Sequence, residues 1–164
     1  MIIFNTALVL STLLCSLVAG FLFAYAIVIM PGLKELDDKQ FIKAFQVTDR
    51  VIQNNHPLFL LVWIGSAIAV IVCAMYGLGK LHGIDFLLLL LATVGYLMGV
   101  QASTIAVHLP LNNQLQEIDV ENTSQEGLQA ARAGFEPRWN RSNKIRTAIA
   151  CCVSILLIVL VLRQ

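Results

Sequence analysis

Ile84-Asp-Phe-Leu-Leu-Leu-Leu-Leu-Ala-Thr-Val-Gly95-Tyr-Leu-Met-Gly99-Val-Gln101-Ala-Ser-Thr104-Ile-Ala-Val107 decides the fold. This run carries a single charged side chain, at its edge, and is long enough to cross a bilayer as a helix, which takes about 20 residues. Placed at 100° per residue, Thr93, Gln101, Thr104 and His108 fall within an arc of roughly 80°. Gly95, Gly99 and Ser103 fall on the far side, a small-residue ladder of the kind that lets two membrane helices approach closely. One helix thus carries a packing face and a polar face. Because polar groups inside a membrane are costly unless paired, the polar face is expected to point into a bundle.

Three further runs have the same character: 6–30, 57–76 and 145–162. The first lacks a basic leader and is too long for the apolar core of a cleaved signal, so it is read as a span. The whole chain agrees. Of 164 residues, 58% are hydrophobic and 13% charged, with a mean hydropathy of +0.79, whereas a soluble domain carries about 25% charged residues. The composition excludes a water-soluble enzyme, and the net charge of +1 gives no footprint for nucleic acid. Cys15, Cys73, Cys151 and Cys152 show neither zinc-ligand nor disulfide spacing. The reading is a single all-α membrane domain, four transmembrane helices in a bundle, with lipid as its first partner and a homo-oligomer compatible.

Spans two and three are joined by the short turn Gly77-Leu-Gly-Lys-Leu-His-Gly83. The other two connections, 31–56 and 108–144, are long and polar and lie together on the side opposite both termini. Nine of the eleven Lys and Arg residues belong to that side: eight in the two connections, including Lys39, Lys43, Arg50, Arg132, Arg138 and Lys144, and Arg146 at the foot of span four. The positive-inside rule therefore predicts a multi-pass cell-membrane protein with cytoplasmic long loops and external termini. Within the first loop, Asp38 to Gln53 reads as an amphipathic helix. Phe41, Phe45, Thr48 and Ile52 share one face, and Lys39, Lys43, Gln46, Arg50 and Gln53 another, so the helix is expected to cap the bundle at the interface. In the second loop Thr123-Ser-Gln-Glu126 reads as a capping box and Gly134 as a helix stop, with Pro137 opening the helix of span four. Pro31 and Pro110 read as ends of spans one and three and Pro57 as the start of span two. Ser16, Gly20 and Ala24 form a further packing ladder, as do Gly65, Ala69 and Cys73.

Polar residues collect at the long-loop end: Asn54, Asn55 and His56 before span two, His108, Asn112 and Asn113 after span three, and Trp139, Asn143 and Arg146 at the foot of span four. With the span-four helix starting near Pro137, Trp139, Asn143, Arg146, Thr147, Ala150 and Ser154 share one inward face. Arg146 at that depth requires oxygen partners, from amides, carbonyls or a carboxylate of the capping segment. Two readings stand side by side. One is an interfacial collar that satisfies loop backbone groups. The other is a pocket for a small amphipathic molecule.

Two segments resemble a known family. His108-Leu-Pro-Leu-Asn112-Asn-Gln-Leu115 is similar to its pattern Asn-Val-Pro-Leu-Asn followed by Leu, and Trp139-Asn-Arg-Ser-Asn143-Lys-Ile-Arg146-Thr147 to its Trp-x-x-x-Asn-x-x-Arg-Thr. The run Gly20-Phe-Leu-Phe-Ala-Tyr, Met30-Pro31, Gln46 and Asn55-x-Pro57-x-Phe59 also fit. The chain resembles the anthrone oxygenases, small four-helix membrane proteins, over nearly its whole length. The resemblance implies cofactor-free oxygenation of an anthrone to an anthraquinone, with Asn112, Trp139, Asn143 and Arg146 as the matching positions. His108 stands where the pattern has Asn.

The residues permit that chemistry. Imidazole titrates near about pH 6.5 and can take a proton from a carbon acid flanked by aromatic rings, a role for His108. Asn112, Asn143 and Arg146 can donate to the enolate oxygen. Trp139 can stack on a planar substrate, with Asn55, His56 and Gln46 as further binding positions. The alternatives are a non-enzymatic accessory or small-ligand-binding bundle, and a haem protein using His56 and His108 as axial ligands.

Overall fold

The computed structural model describes residues 2–164, all of whose regular elements are helices. Four helices are long and apolar enough to span a membrane: α1 (Ile2–Lys34), α3 (Pro57–Gly77), α4 (Gly83–Gln116) and α5 (Gln125–Arg163). Between α1 and α3 lies α2 (Asp38–Gln53), an amphipathic helix with the bounds the sequence gives it. Asp37 caps it, its carboxylate accepting from the Gln40 N–H at 2.8 Å, which satisfies an otherwise unpaired first-turn donor. Its end is turned by Asn55, whose φ of 59° lies in the left-handed region that asparagine tolerates.

The prolines behave differently from the expectation. Only Pro57 opens a helix. Pro31 and Pro110 lie inside α1 and α4, directly after wide π-helical turns at Tyr25–Ile29 and Thr104–His108. A proline ring clashes with the carbonyl four residues back and removes one hydrogen bond, and a locally widened turn absorbs both defects. Gly134 and Pro137 likewise do not interrupt α5. The helix is about 58 Å long at 1.5 Å per residue, so it runs well out of the bilayer and forms a post for the loop-side elements. Its first turn is capped by Ser124, one residue later than the capping-box reading, with Oγ accepting from the Gly127 N–H.

Two cores stack along this post. The inner one packs Leu8, Cys15, Leu22, Val70, Tyr96, Val153 and Leu157 between the four spans. The second packs α2 on the bundle end through Phe41, Ile42, Phe45, Leu111, Phe135 and Trp139. Outside, Leu13, Leu61, Ile68, Met98 and Ile155 are exposed and face lipid. The ladder at Gly95 and Gly99 is where α4 meets α5: a Cβ at Gly99 would lie 2.8 Å from the Ile149 side chain. The ladder expected at Ser16, Gly20 and Ala24 is not a packing face, since nothing lies within 4 Å of a Cβ at Gly20. The inward face of α1 runs instead through Ser11, Cys15 and Ala19.

Arg132 on α5 ties the loop end together. It donates to the carbonyls of Leu36 and Lys34 at 2.7 and 2.9 Å, pairs with Glu136 and Asp38, and lies over the Phe41 ring. At the other end Arg163 pairs with Asp85. Near the short turn α3 packs on α4, but the two diverge toward the loop end. That divergence leaves room for a site.

Candidate functional site

The opening holds a cavity of about 480 Å³ bounded by all five helices, within the 300–1,000 Å³ range typical of small-ligand sites. Its walls are aromatic: Phe21 and Tyr25 from α1, Phe45 from α2, Phe59 and Trp63 from α3, and Trp139 from α5. Phe59 and Trp63 are stacked with centroids 5.5 Å apart, while the Phe45 ring and the His108 imidazole meet Trp139 edge-on at 5.7 and 5.0 Å. Ile64 and Ile105, both more than half exposed, flank the lipid side of the opening.

The residues expected at a site sort into two groups. His108, Arg146, Asn112, Trp139 and Asn55 line this one cavity. Asn143, Gln46 and His56 are not in its lining. Asn143 holds Arg146 from behind: its Oδ1 accepts from Arg146 Nε at 3.0 Å and its Nδ2 donates to the Leu22 carbonyl at 3.3 Å. Gln46 is buried, not on an exposed polar face, and Thr48 is exposed. Gln46 Nε2 donates to the carbonyls of Leu115 and Ile118 at 2.8 and 2.9 Å, seating α2 on the end of α4. His56 is exposed at the start of α3, so it does not share the enclosure of His108.

Arg146 is 5% exposed. Among the described residues it donates, besides Asn143, only to Thr104 Oγ1, at 3.0 Å from Nη1, and its guanidinium carbon lies 5.7 Å from the Trp139 ring centroid. Oxygen partners are present, as the sequence required, but they are an amide and a hydroxyl rather than a carboxylate. His108 is 2% exposed. Its Nε2 is hydrogen-bonded to Ser142 Oγ at 2.9 Å, and its Nδ1 is buried without a partner among the described residues. His108 as a residue lines the cavity, and Nδ1 is the one ring atom whose hydrogen-bonding capacity is unused.

Asn112 sits in a chain of three residues. Its Oδ1 accepts from Trp139 Nε1 at 3.0 Å and its Nδ2 donates to Asp49 Oδ1 at 2.8 Å. Asp49 went unnoticed in the sequence. It is 3% exposed, lines the cavity, and accepts on Oδ2 from Gln53 at 2.6 Å and Gln116 at 3.1 Å. Its signal was its spacing: Phe41, Phe45 and Asp49 recur every four residues on the face that docks. Tyr25, Phe59 and Trp63 were also missed, because aromatic residues in apolar runs read as lipid-facing or core.

Fold and site together define a membrane-embedded helical bundle that keeps an aromatic cavity, with polar groups set into its wall, at one end. The chain belongs to the anthrone oxygenase family, whose model matches residues 50–156, including every expected position from Asn55 to Arg146. No curated protein and no solved structure matches the chain.

Proposed function

We propose that the protein oxygenates a planar phenolic, anthrone-like or quinol-like small molecule in the loop-end cavity, with dioxygen as the only co-reactant. The observation that carries this reading is the convergence of His108, Arg146, Asn112 and Trp139 on one aromatic-walled enclosure. The substrate plane lies against Trp139 and between the flanking rings. His108 Nδ1 takes a proton from the carbon acid, and the resulting enolate oxygen accepts from the Arg146 N–H groups in a site where few waters compete. Asn143 and Thr104 act through Arg146 by fixing its orientation. Asn112 has one amide hydrogen left after bonding Asp49, which it can turn to the substrate.

The electron-rich carbanion reduces dioxygen and forms a C–O bond, giving a hydroperoxide once a proton returns. Loss of the second C–H proton with cleavage of the O–O bond then yields the ketone and water. Anthrone plus O₂ gives anthraquinone plus H₂O, which balances without an external reductant. A second reading, a bundle that binds such molecules without turning them over, is favoured by one fact: Asn112 is already engaged on both its oxygen and its nitrogen.

The cell membrane is the setting, with lipid as partner. Long loops on the cytoplasmic side follow from the placement of nine of the eleven Lys and Arg residues. The cavity then opens toward the cytoplasmic leaflet. The test is anthraquinone formation from anthrone in air by the purified protein in lipid vesicles. Formation well above that in protein-free vesicles supports an oxygenase. Equal rates, with anthrone bound, move the protein to the second reading.

A further inference from the structure

Two buried charges of opposite sign line the same cavity, and neither has a counter-ion among the described residues. The ion pairs among the described residues are Lys39–Glu121, Lys43–Glu121, Arg132–Asp38, Arg132–Glu136 and Arg163–Asp85. Arg146 and Asp49 are in none of them, although they are 5% and 3% exposed. Burying a charge without a partner is costly, so the fold either supplies one or leaves the position to a ligand.

Each group is held only by neutral neighbours and retains unused capacity. A guanidinium has five N–H donors, and Arg146 spends one on Asn143 and one on Thr104. Its Nη2 finds no acceptor among the described residues. A carboxylate offers about four lone-pair sites; Asp49 uses three, on the amides of Asn112, Gln53 and Gln116. Both have Trp139 as a near neighbour: the guanidinium lies over its ring, and its indole N–H donates to Asn112, which donates to Asp49. The two charges approach the cavity from different elements, Asp49 from the capping helix α2 and Arg146 from α5.

We propose that the cavity is a two-ended binding site for a planar aromatic ligand that presents an anionic or carbonyl oxygen to Arg146 and a hydroxyl donor to Asp49. This deepens the oxygenase reading and rests on the same cavity, but it adds a polarity and a residue. Asp49 orients the ligand by accepting its hydroxyl at the α2 end. A neutral hydrocarbon gains nothing at either end. A simple aromatic carboxylate gains at one, and a hydroxylated aromatic anion gains at both. The ring plane spans the distance between, against Trp139.

The experiment is calorimetric binding of four probes to the protein in detergent, against empty micelles: 6-hydroxy-2-naphthoate, 2-naphthoate, 2-naphthol and 6-methoxy-2-naphthoate. The hydroxynaphthoate is expected to bind about tenfold or more tightly than either single-ended probe, as a hydrogen bond to a charged group implies. Methylation of the hydroxyl removes the donor and should cost most of that gain. Arg146→Gln should abolish the advantage of the carboxylate, and Asp49→Asn the advantage of the hydroxyl. Should Asp49→Asn fail to fold, the wild-type comparison of the hydroxy and methoxy probes decides the Asp49 end by itself. Equal affinity for all four probes overturns the two-ended site while leaving the cavity reading intact. Failure of every probe to bind overturns both.

Discussion

The Trp139 indole N–H donates to Asn112 Oδ1 at 3.0 Å, and through Asn112 it is linked to the buried carboxylate of Asp49. Three helices meet in that chain, α5, α4 and α2. It fixes which way the Asn112 amide points, since its oxygen must accept from Trp139 and its nitrogen must donate to Asp49. Replacing Asn112 by Leu strands both partners. A loss of about 1–3 kcal/mol is expected for each buried group left unsatisfied. Thermal unfolding in detergent measures it, and a fall in melting temperature with Trp139 moved toward solvent by fluorescence is the predicted result.

Asn112→Asp distinguishes the two ends of that chain. The new carboxylate still accepts from Trp139 but has no N–H to donate to Asp49, so an acceptor meets an acceptor where the wild type has a hydrogen bond. This variant should therefore unfold at a lower temperature than wild type in detergent. Wild-type-like thermal stability for the variant would speak against the Asp49 contact.

At the packing face, a methyl group at Gly99 would sit 2.8 Å from Ile149. Gly99→Ala is expected to cost about 1–3 kcal/mol by overpacking, and the bulkier Gly99→Leu more. Ile149→Ala should rescue part of the loss, because the listener to the clash is a side chain. Gly20→Ala, with open space around it, should be neutral.

Glu121 bridges the connection after α4 to α2 by pairing with Lys39 and Lys43 at 2.6 and 2.9 Å. Those two ammonium groups hold its carboxyl down, from the ordinary 4.5 to about 2. A depressed carboxylate contributes stability that is fully present above its unfolded value and is lost as pH falls through the folded one. The contribution should therefore be complete at pH 6 and decline between about 4.5 and 2. Lying at the solvent-exposed surface, these pairs contribute little and are screened by salt. Glu121→Gln should flatten the low-pH slope slightly in low salt and change nothing in high salt.

The sidedness of the loops is tested by a single cysteine at Gln125 in a background without the four native cysteines. An impermeant thiol reagent should leave it unlabelled in intact cells and label it after permeabilisation. Labelling in intact cells would reverse the topology.

Much of this arrangement was legible in the sequence because it rests on periodicity. The inward face of α5 repeats through Trp139, Asn143, Arg146, Thr147, Ala150 and Ser154, all buried, and the same three-to-four-residue spacing continues upstream through Leu128 and Phe135. That continuation outweighs Gly134, which reads locally as a helix stop, and Pro137, which reads as a helix start, because burial continues on both sides of them. Pro31 and Pro110 misled for a related reason: a widened turn costs less than exposing the apolar face that follows. The site was legible only in part. His108, Asn112, Trp139 and Arg146 stand out as polar or aromatic groups at the ends of apolar runs. Asp49 does not stand out, since an acidic residue on an amphipathic helix looks solvated until the docking partner is known.

The central claim, that His108 acts as a base toward a carbon acid held against Trp139 and Arg146, is tested most directly by oxygen uptake. Vesicles containing wild-type protein and His108→Gln are supplied with anthrone in an oxygen electrode, with protein-free vesicles setting the spontaneous rate. The account predicts one O₂ consumed per anthraquinone formed, and a loss of about 10²–10⁴-fold in the protein-dependent rate for His108→Gln, the usual contribution of a positioned base. Uptake by wild type no faster than in protein-free vesicles, or an unchanged rate in a folded His108→Gln protein, would contradict it.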